Sequence, residues 1–120
     1  MKHHNLLNSF VAAFQGIVYA VHRERNMRIH LLAAFLVIAA SLYFQVEKWE
    51  WMFILAAVFL VLITEMINTA LERVVDLSTR KYHDLAYTAK NVAAGAVLFA
   101  ALFAIAVAAL VFVDRLRVLF

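Results

Sequence analysis

The sequence predicts an all-α membrane protein in which an N-terminal amphipathic surface helix precedes three transmembrane helices. Two observations carry this expectation. The 120-residue chain is 67% hydrophobic and 16% charged, whereas soluble domains are about 45–50% apolar and a small core cannot hide the excess. The apolar residues also fall into three long segments with short charged stretches between them, and there is no proline and only two glycines to interrupt helices. A single membrane domain covers residues 1–120.

The surface helix is expected over residues 5–23. Leu6, Leu7, Phe10, Val11, Phe14, Ile17, Val18 and Val21 recur at spacings of three and four, with Asn5, Asn8, Ser9, Gln15 and Gly16 between them. An interrupted apolar stripe of this kind suits a helix lying in the interface. It is not read as a signal peptide, because polar residues break it and no small-residue cleavage site follows.

The first span is placed at residues 29–46, about 18 residues and barely enough to cross a hydrocarbon core of roughly 30 Å. "EKWEW" is the turn after it, with Trp49 and Trp51 as interfacial anchors. The second span is placed at residues 50–77, about 28 residues or roughly 42 Å, so its last two turns leave the membrane. Asp84 is the expected N-cap of the third helix, placed at residues 85–113. Ala96, Ala100, Ala104 and Ala108 form a small-residue stripe along it that favours close helix packing.

Lys2, Arg23, Arg25 and Arg28 precede the first span, and Arg73, Arg80, Lys81 and Lys90 lie between the second and third, against only Lys48 in the first turn. The N-terminus and the loop joining the second and third spans are therefore expected in the cytoplasm. Arg115 and Arg117 then fall on the other side, a mild violation that Asp114 partly offsets.

Several function classes are excluded. Without cysteine there is no disulfide, thiol nucleophile or Cys-based zinc site, so any metal must use oxygen or imidazole. The net charge is +3, but no basic run carries interleaved aromatics and the arginines abut a span, which points to membrane flanking and not to nucleic acid. His22, His30 and His83 lack ligand-like spacing. A Walker loop, a nucleophile elbow and a zinc-protease helix are all missing.

The informative stretch is "ITEMINTALERVVD", residues 63–76. With Glu65 at zero, Asn68, Glu72 and Asp76 fall at about −60°, −20° and +20° on a helix, all on one narrow face. Glu65 and Asn68 sit near the hydrocarbon edge, while Glu72 and Asp76 sit at headgroup depth or beyond. Aligned acids beside hydrocarbon require positive charge. Arg23, Arg25, Arg28 and Lys90 approach the same depth, and a hard divalent ion would also serve. Spacing alone leaves an interfacial salt-bridge cluster and a metal site both open. Glu24, alone among arginines in "RERNMRIH", lies on the same side of the membrane.

"RERNMRIH", "EMINTALERVVDL", "KYHDL" and "AKNVAAGAV", in this order and spacing, resemble the bacterial integral-membrane diacylglycerol kinase family, and especially its undecaprenol kinase branch, over roughly residues 9–112. The resemblance implies a homotrimer with composite sites between subunits, in a bacterial cytoplasmic membrane. It also implies transfer of the γ-phosphoryl of ATP, with Mg2+, to the hydroxyl of a membrane lipid, either undecaprenol or, alternatively, diacylglycerol. By position, Glu65 resembles the general base, with Asn68 beside it. Glu24 and Glu72 resemble magnesium ligands. Lys90 resembles the residue meeting the nucleotide phosphates, Asp76 a further polar member of that site, and Tyr82 and His83 the loop near the base. Where the family has Lys-Asp this chain reads Lys90-Asn91, a loss of charge expected to lower turnover more than it harms the fold. A non-enzymatic transport or assembly protein is the rival, but its acid would sit near mid-bilayer.

Overall fold

The computed structural model describes residues 5–120. Its four helices are α1 (Leu6–Arg23), α2 (Arg25–Phe44), α3 (Lys48–Ser78) and α4 (Asp84–Leu119). The last three are long and apolar enough to cross a membrane. The protein is an all-α membrane protein, and no strand occurs among the described residues.

α1 begins where the Asn5 side chain accepts the Asn8 N–H at 2.8 Å, satisfying one of the first-turn donors that a helix leaves open. Its apolar stripe, including Leu6, Phe10 and Phe14, is exposed, so the rest of the chain does not cover it. Between α1 and α2 lies one residue, Glu24, in extended conformation. Arg28 Nη1 reaches back to donate to the carbonyls of Val21 and His22. A residue expected as a membrane-flanking cation thus caps the C-terminus of α1. Lys2, counted with it, lies outside the described residues.

Helix boundaries differ from the expected spans for local reasons. α2 starts four residues before the span expected at 29–46, because Glu24 alone separates it from α1. It stops at Phe44 because Gln45 turns left-handed (φ 51°, ψ 54°), and the N–H groups of Gln45 and Val46 close on the carbonyls of Leu42 and Ser41. No glycine or proline marks this stop, which is why composition places it too late. α3 begins before residue 50 because Glu50 Oε1 accepts the Glu47 N–H at 2.9 Å, reinforced by Trp49 Nε1 on Glu47 Oε2. The cap of α4 is His83 and not Asp84: His83 Nδ1 accepts the Leu85 N–H at 3.1 Å, and Asp84 occupies the first turn. α4 continues past residue 113 to Leu119, since Arg115 finds buried partners on α3 and on its own helix.

Packing is concentrated at one end of the bundle. Val46, Ile54, Ala57, Val107, Val111 and Phe112 form the buried cluster, with Val37, Phe44 and Trp51 against it. Phe44 and Phe112 meet with centroids 6.0 Å apart. Ser41 is fully buried and donates to the Val37 carbonyl at 2.8 Å. In the expected alanine stripe, Ala100 is buried and Ala104 and Ala108 pack against the cluster, but Ala96 is exposed. The outward faces of α2, α3 and α4 stay apolar and exposed, as at Phe35, Leu36, Phe59 and Phe99. Such surface is stable when lipid covers it.

Candidate functional site

Helical periodicity puts the polar face of α3 in register with the far end of the bundle. Glu65 is 1% exposed and Asn68 9%, while Glu72 is half-buried and Asp76 exposed. Burial therefore falls steadily along this face as α3 runs out of its apolar segment. Thr69, also buried, donates its hydroxyl to the Glu65 carbonyl at 3.0 Å. Asn68 Nδ2 donates to Glu72 Oε1 at 3.2 Å. Asn68 Oδ1 is buried with no hydrogen-bond partner among the described residues. A buried acceptor left open costs about 1–3 kcal/mol, and Glu65 has no ion pair among the described residues.

Glu24, at the α1–α2 joint, accepts from Arg73 Nη2 at 2.7 Å. Arg73 Nε donates to the Tyr19 hydroxyl at 2.6 Å, and its guanidinium carbon lies 5.6 Å from the Tyr19 ring centroid. Arg23 approaches the same ring at 5.9 Å. Of the acids singled out, Glu24 is thus paired with Arg73 and Asp76 with Lys90. Arg23, expected to help there, lies instead over Tyr19, and Arg28 caps α1. No group of three or more Asp, Glu or His side chains close enough to hold a metal ion by themselves occurs among the described residues.

A cleft of about 230 Å³ opens where α3 ends and α4 begins. It gathers Asp76, Tyr82, His83 and Lys90, all four residues singled out for a nucleotide. Lys90 Nζ donates to Asp76 Oδ1 at 2.7 Å across its floor. Arg80 and Lys81 line the rim, so cations outnumber the one carboxylate. Tyr82 and Tyr87 face each other with centroids 5.9 Å apart. His83 spends Nδ1 on the α4 cap, which fixes its ring at the cleft edge. Asn91 is exposed beside Lys90.

An interfacial salt-bridge cluster therefore accounts for Glu24 and Asp76 and leaves Glu65, Asn68 and Glu72 unexplained. Sequence reasoning missed Arg73, which it counted only as a loop cation, and with it Tyr19, Thr69 and Tyr87. The helical angle of Arg73, about 80° from Glu65, was a usable signal. Nothing local pointed to Tyr19, 54 residues away.

The chain matches the family described as prokaryotic diacylglycerol kinase over residues 11–112. It is 45% identical over 104 residues to a diacylglycerol kinase of Synechocystis sp., covering 86% of this chain and 59% of that protein. It is 38% identical over 118 residues to the undecaprenol kinase of Bacillus subtilis, covering 95% of this chain and 96% of that protein. A diacylglycerol kinase of Escherichia coli is 30% identical over 93 residues, covering 78% and 76%. The chain thus spans less than two thirds of the Synechocystis relative and nearly all of the Bacillus one.

Proposed function

The chain belongs to the prokaryotic diacylglycerol kinase family, and from that membership we propose that it is a lipid kinase transferring the γ-phosphoryl of ATP to the hydroxyl of undecaprenol. The observation that carries this reading is the gradient along one face of α3, from buried Glu65 and Asn68 to the exposed cleft of Asp76 and Lys90. A reaction joining an apolar acceptor to a water-soluble donor needs such a path. The near full-length similarity to the Bacillus undecaprenol kinase supports the acceptor.

Glu65, within the apolar segment, takes the proton of the lipid hydroxyl on its carboxylate. The hydroxyl oxygen bonds to the γ-phosphorus as the bond from phosphorus to the β–γ bridging oxygen breaks, releasing ADP. Lys90, aimed into the cleft by Asp76, gives a point charge for the phosphates, and Tyr82 with His83 borders the base. Catalysis of this kind depends on positioning and charge more than on covalent chemistry.

The donor set fits Mg2+: Glu24, Glu72 and the open Asn68 Oδ1 are hard oxygens. Two carboxylates suffice where substrate phosphates complete the shell, the usual magnesium arrangement. When bound there, the ion would neutralise charge on the transferring group.

The active end is assigned to the cytoplasmic face of a bacterial inner membrane. The support is the cluster of Arg23, Arg25, Arg28, Arg73, Arg80, Lys81 and Lys90 at that end, while Arg115 at the other is paired with Glu50. A homotrimer with sites shared between subunits belongs to the same proposal and rests on the family resemblance.

Diacylglycerol is the second reading, favoured by the name of the Synechocystis relative. Assay of the purified protein in detergent with ATP, Mg2+ and each lipid in turn tests both. Phosphate should pass to undecaprenol in preference; a strong preference for diacylglycerol overturns the acceptor, and no transfer to either overturns the kinase reading.

A further inference from the structure

We propose that Arg73, itself locked by Tyr19, is a positioning residue that sets the Glu24 carboxylate for the metal. The proposal rests on the reading of Glu24 as a magnesium carboxylate.

Glu24 stands on the one extended residue between two helices, so no helical turn restricts its side chain. Arg73 Nη2 takes Oε1 alone, and Oε2 has no hydrogen-bond partner among the described residues. The carboxylate is oriented with one oxygen committed and one available. Arg73 is in turn held at two further points on α1, by the Tyr19 hydroxyl on Nε and the Tyr19 ring near the guanidinium. A charge-assisted hydrogen bond from a planar, anchored guanidinium fixes geometry in a way a flexible ammonium does not.

Placement supports the same role. Arg73 directly follows Glu72 on α3 and meets Glu24 at 2.7 Å, so it brings positive charge to both acids. It eases their mutual repulsion without occupying the open Glu24 oxygen. It also ties the surface helix to the helix bearing the other metal carboxylate, through Tyr19 on α1 and Glu24 at the joint. Groups that orient ligands in this manner change metal affinity by about 10–100-fold when removed.

The test uses the full chain in detergent, with Mn2+ standing in for Mg2+ and a non-hydrolysable ATP analogue, reading bound Mn2+ by electron paramagnetic resonance. Arg73→Gln should weaken Mn2+ binding about 10–100-fold while the KM for lipid stays unchanged. Arg73→Lys should recover only part of that loss. Tyr19→Phe keeps the ring and removes the hydroxyl; it should weaken Mn2+ in the same direction, by less, and add little on top of Arg73→Gln. Glu24→Gln is the reference. If Glu24→Gln loses Mn2+ but Arg73→Gln, or Tyr19→Phe should the former not fold, binds it as tightly as the parent, Arg73 is merely structural and the inference is wrong. If Glu24→Gln itself binds Mn2+ normally, the metal role of Glu24 fails first, and the inference with it.

Discussion

Arg115 grips Glu50 with both terminal nitrogens, Nη1 on Oε2 at 2.8 Å and Nη2 on Oε1 at 2.7 Å, across 65 residues of chain. The pair joins the first turn of α3 to the last turns of α4, at the end of the bundle away from the acidic face. Glu50 is 4% exposed, and Nη1 also donates to the Val111 carbonyl, so the carboxylate leaves water only with a bidentate partner in place. Removing one member of a buried pair costs about 3–5 kcal/mol, because the other is left charged and unpaired.

Arg115→Met should therefore lower the thermal midpoint of the detergent-solubilised protein, because the buried Glu50 carboxylate is left charged and unpaired. Adding Glu50→Gln should restore part of the loss, and the KM for ATP should not move, because the cleft is at the opposite end. A midpoint unchanged in the single variant would show that the pair contributes nothing.

Glu65→Gln removes the proposed base without altering size. Turnover should fall about 10²–10⁴-fold, with far-ultraviolet circular dichroism unchanged and ATP-analogue binding retained. Single-turnover measurement with radiolabelled ATP reads this; a tenfold or smaller loss would move the base elsewhere.

Lys90→Gln should reduce kcat/KM for ATP by about 10²–10³-fold, the scale for removing one charge that stabilises a transferring group. Asp76→Asn should have a smaller effect, mainly on the KM for ATP, because it leaves the ammonium present but no longer aimed. Steady-state kinetics of both variants separate the two roles. Equal losses would make Asp76 more than an orienting partner.

Asn91 lies exposed beside Lys90. Asn91→Asp should raise turnover while changing stability by no more than about 0.5 kcal/mol, as surface substitutions do. Paired rate and melting measurements decide; equal rates would show that the charge at this position is irrelevant to the chemistry.

Much of the architecture is local and was legible. The three apolar segments, the amphipathic stripe of α1 and the shared face of Glu65, Asn68, Glu72 and Asp76 follow from periodicity within one helix. The gathering of Asp76, Tyr82, His83 and Lys90 needs only a short turn between α3 and α4. What sequence could not show depends on distant partners. The Arg115 side chain reads as an unfavourable cation until Glu50 is found beside it, and Arg73 reads as loop charge until α1 folds back to bring Tyr19 and Glu24 against it. Gln45 illustrates a third kind of gap: a left-handed stop written without glycine or proline is set by the closing hydrogen bonds of the turn, not by residue type.

Glu24 is the whole of the joint between α1 and α2. Because a single residue separates α1 from α2, the junction has no slack. Inserting or deleting one residue would turn the stripe of α1 by about 100° relative to α2, lifting Leu6, Phe10 and Phe14 off the bilayer or swinging Glu24 away from Arg73. The segment between α3 and α4 is longer, residues 79–83, so one residue more or less there need not turn the two helices directly against each other. Length in this protein is thus rationed unevenly: the surface anchor and its carboxylate share one indivisible position, and drift there is confined to substitution.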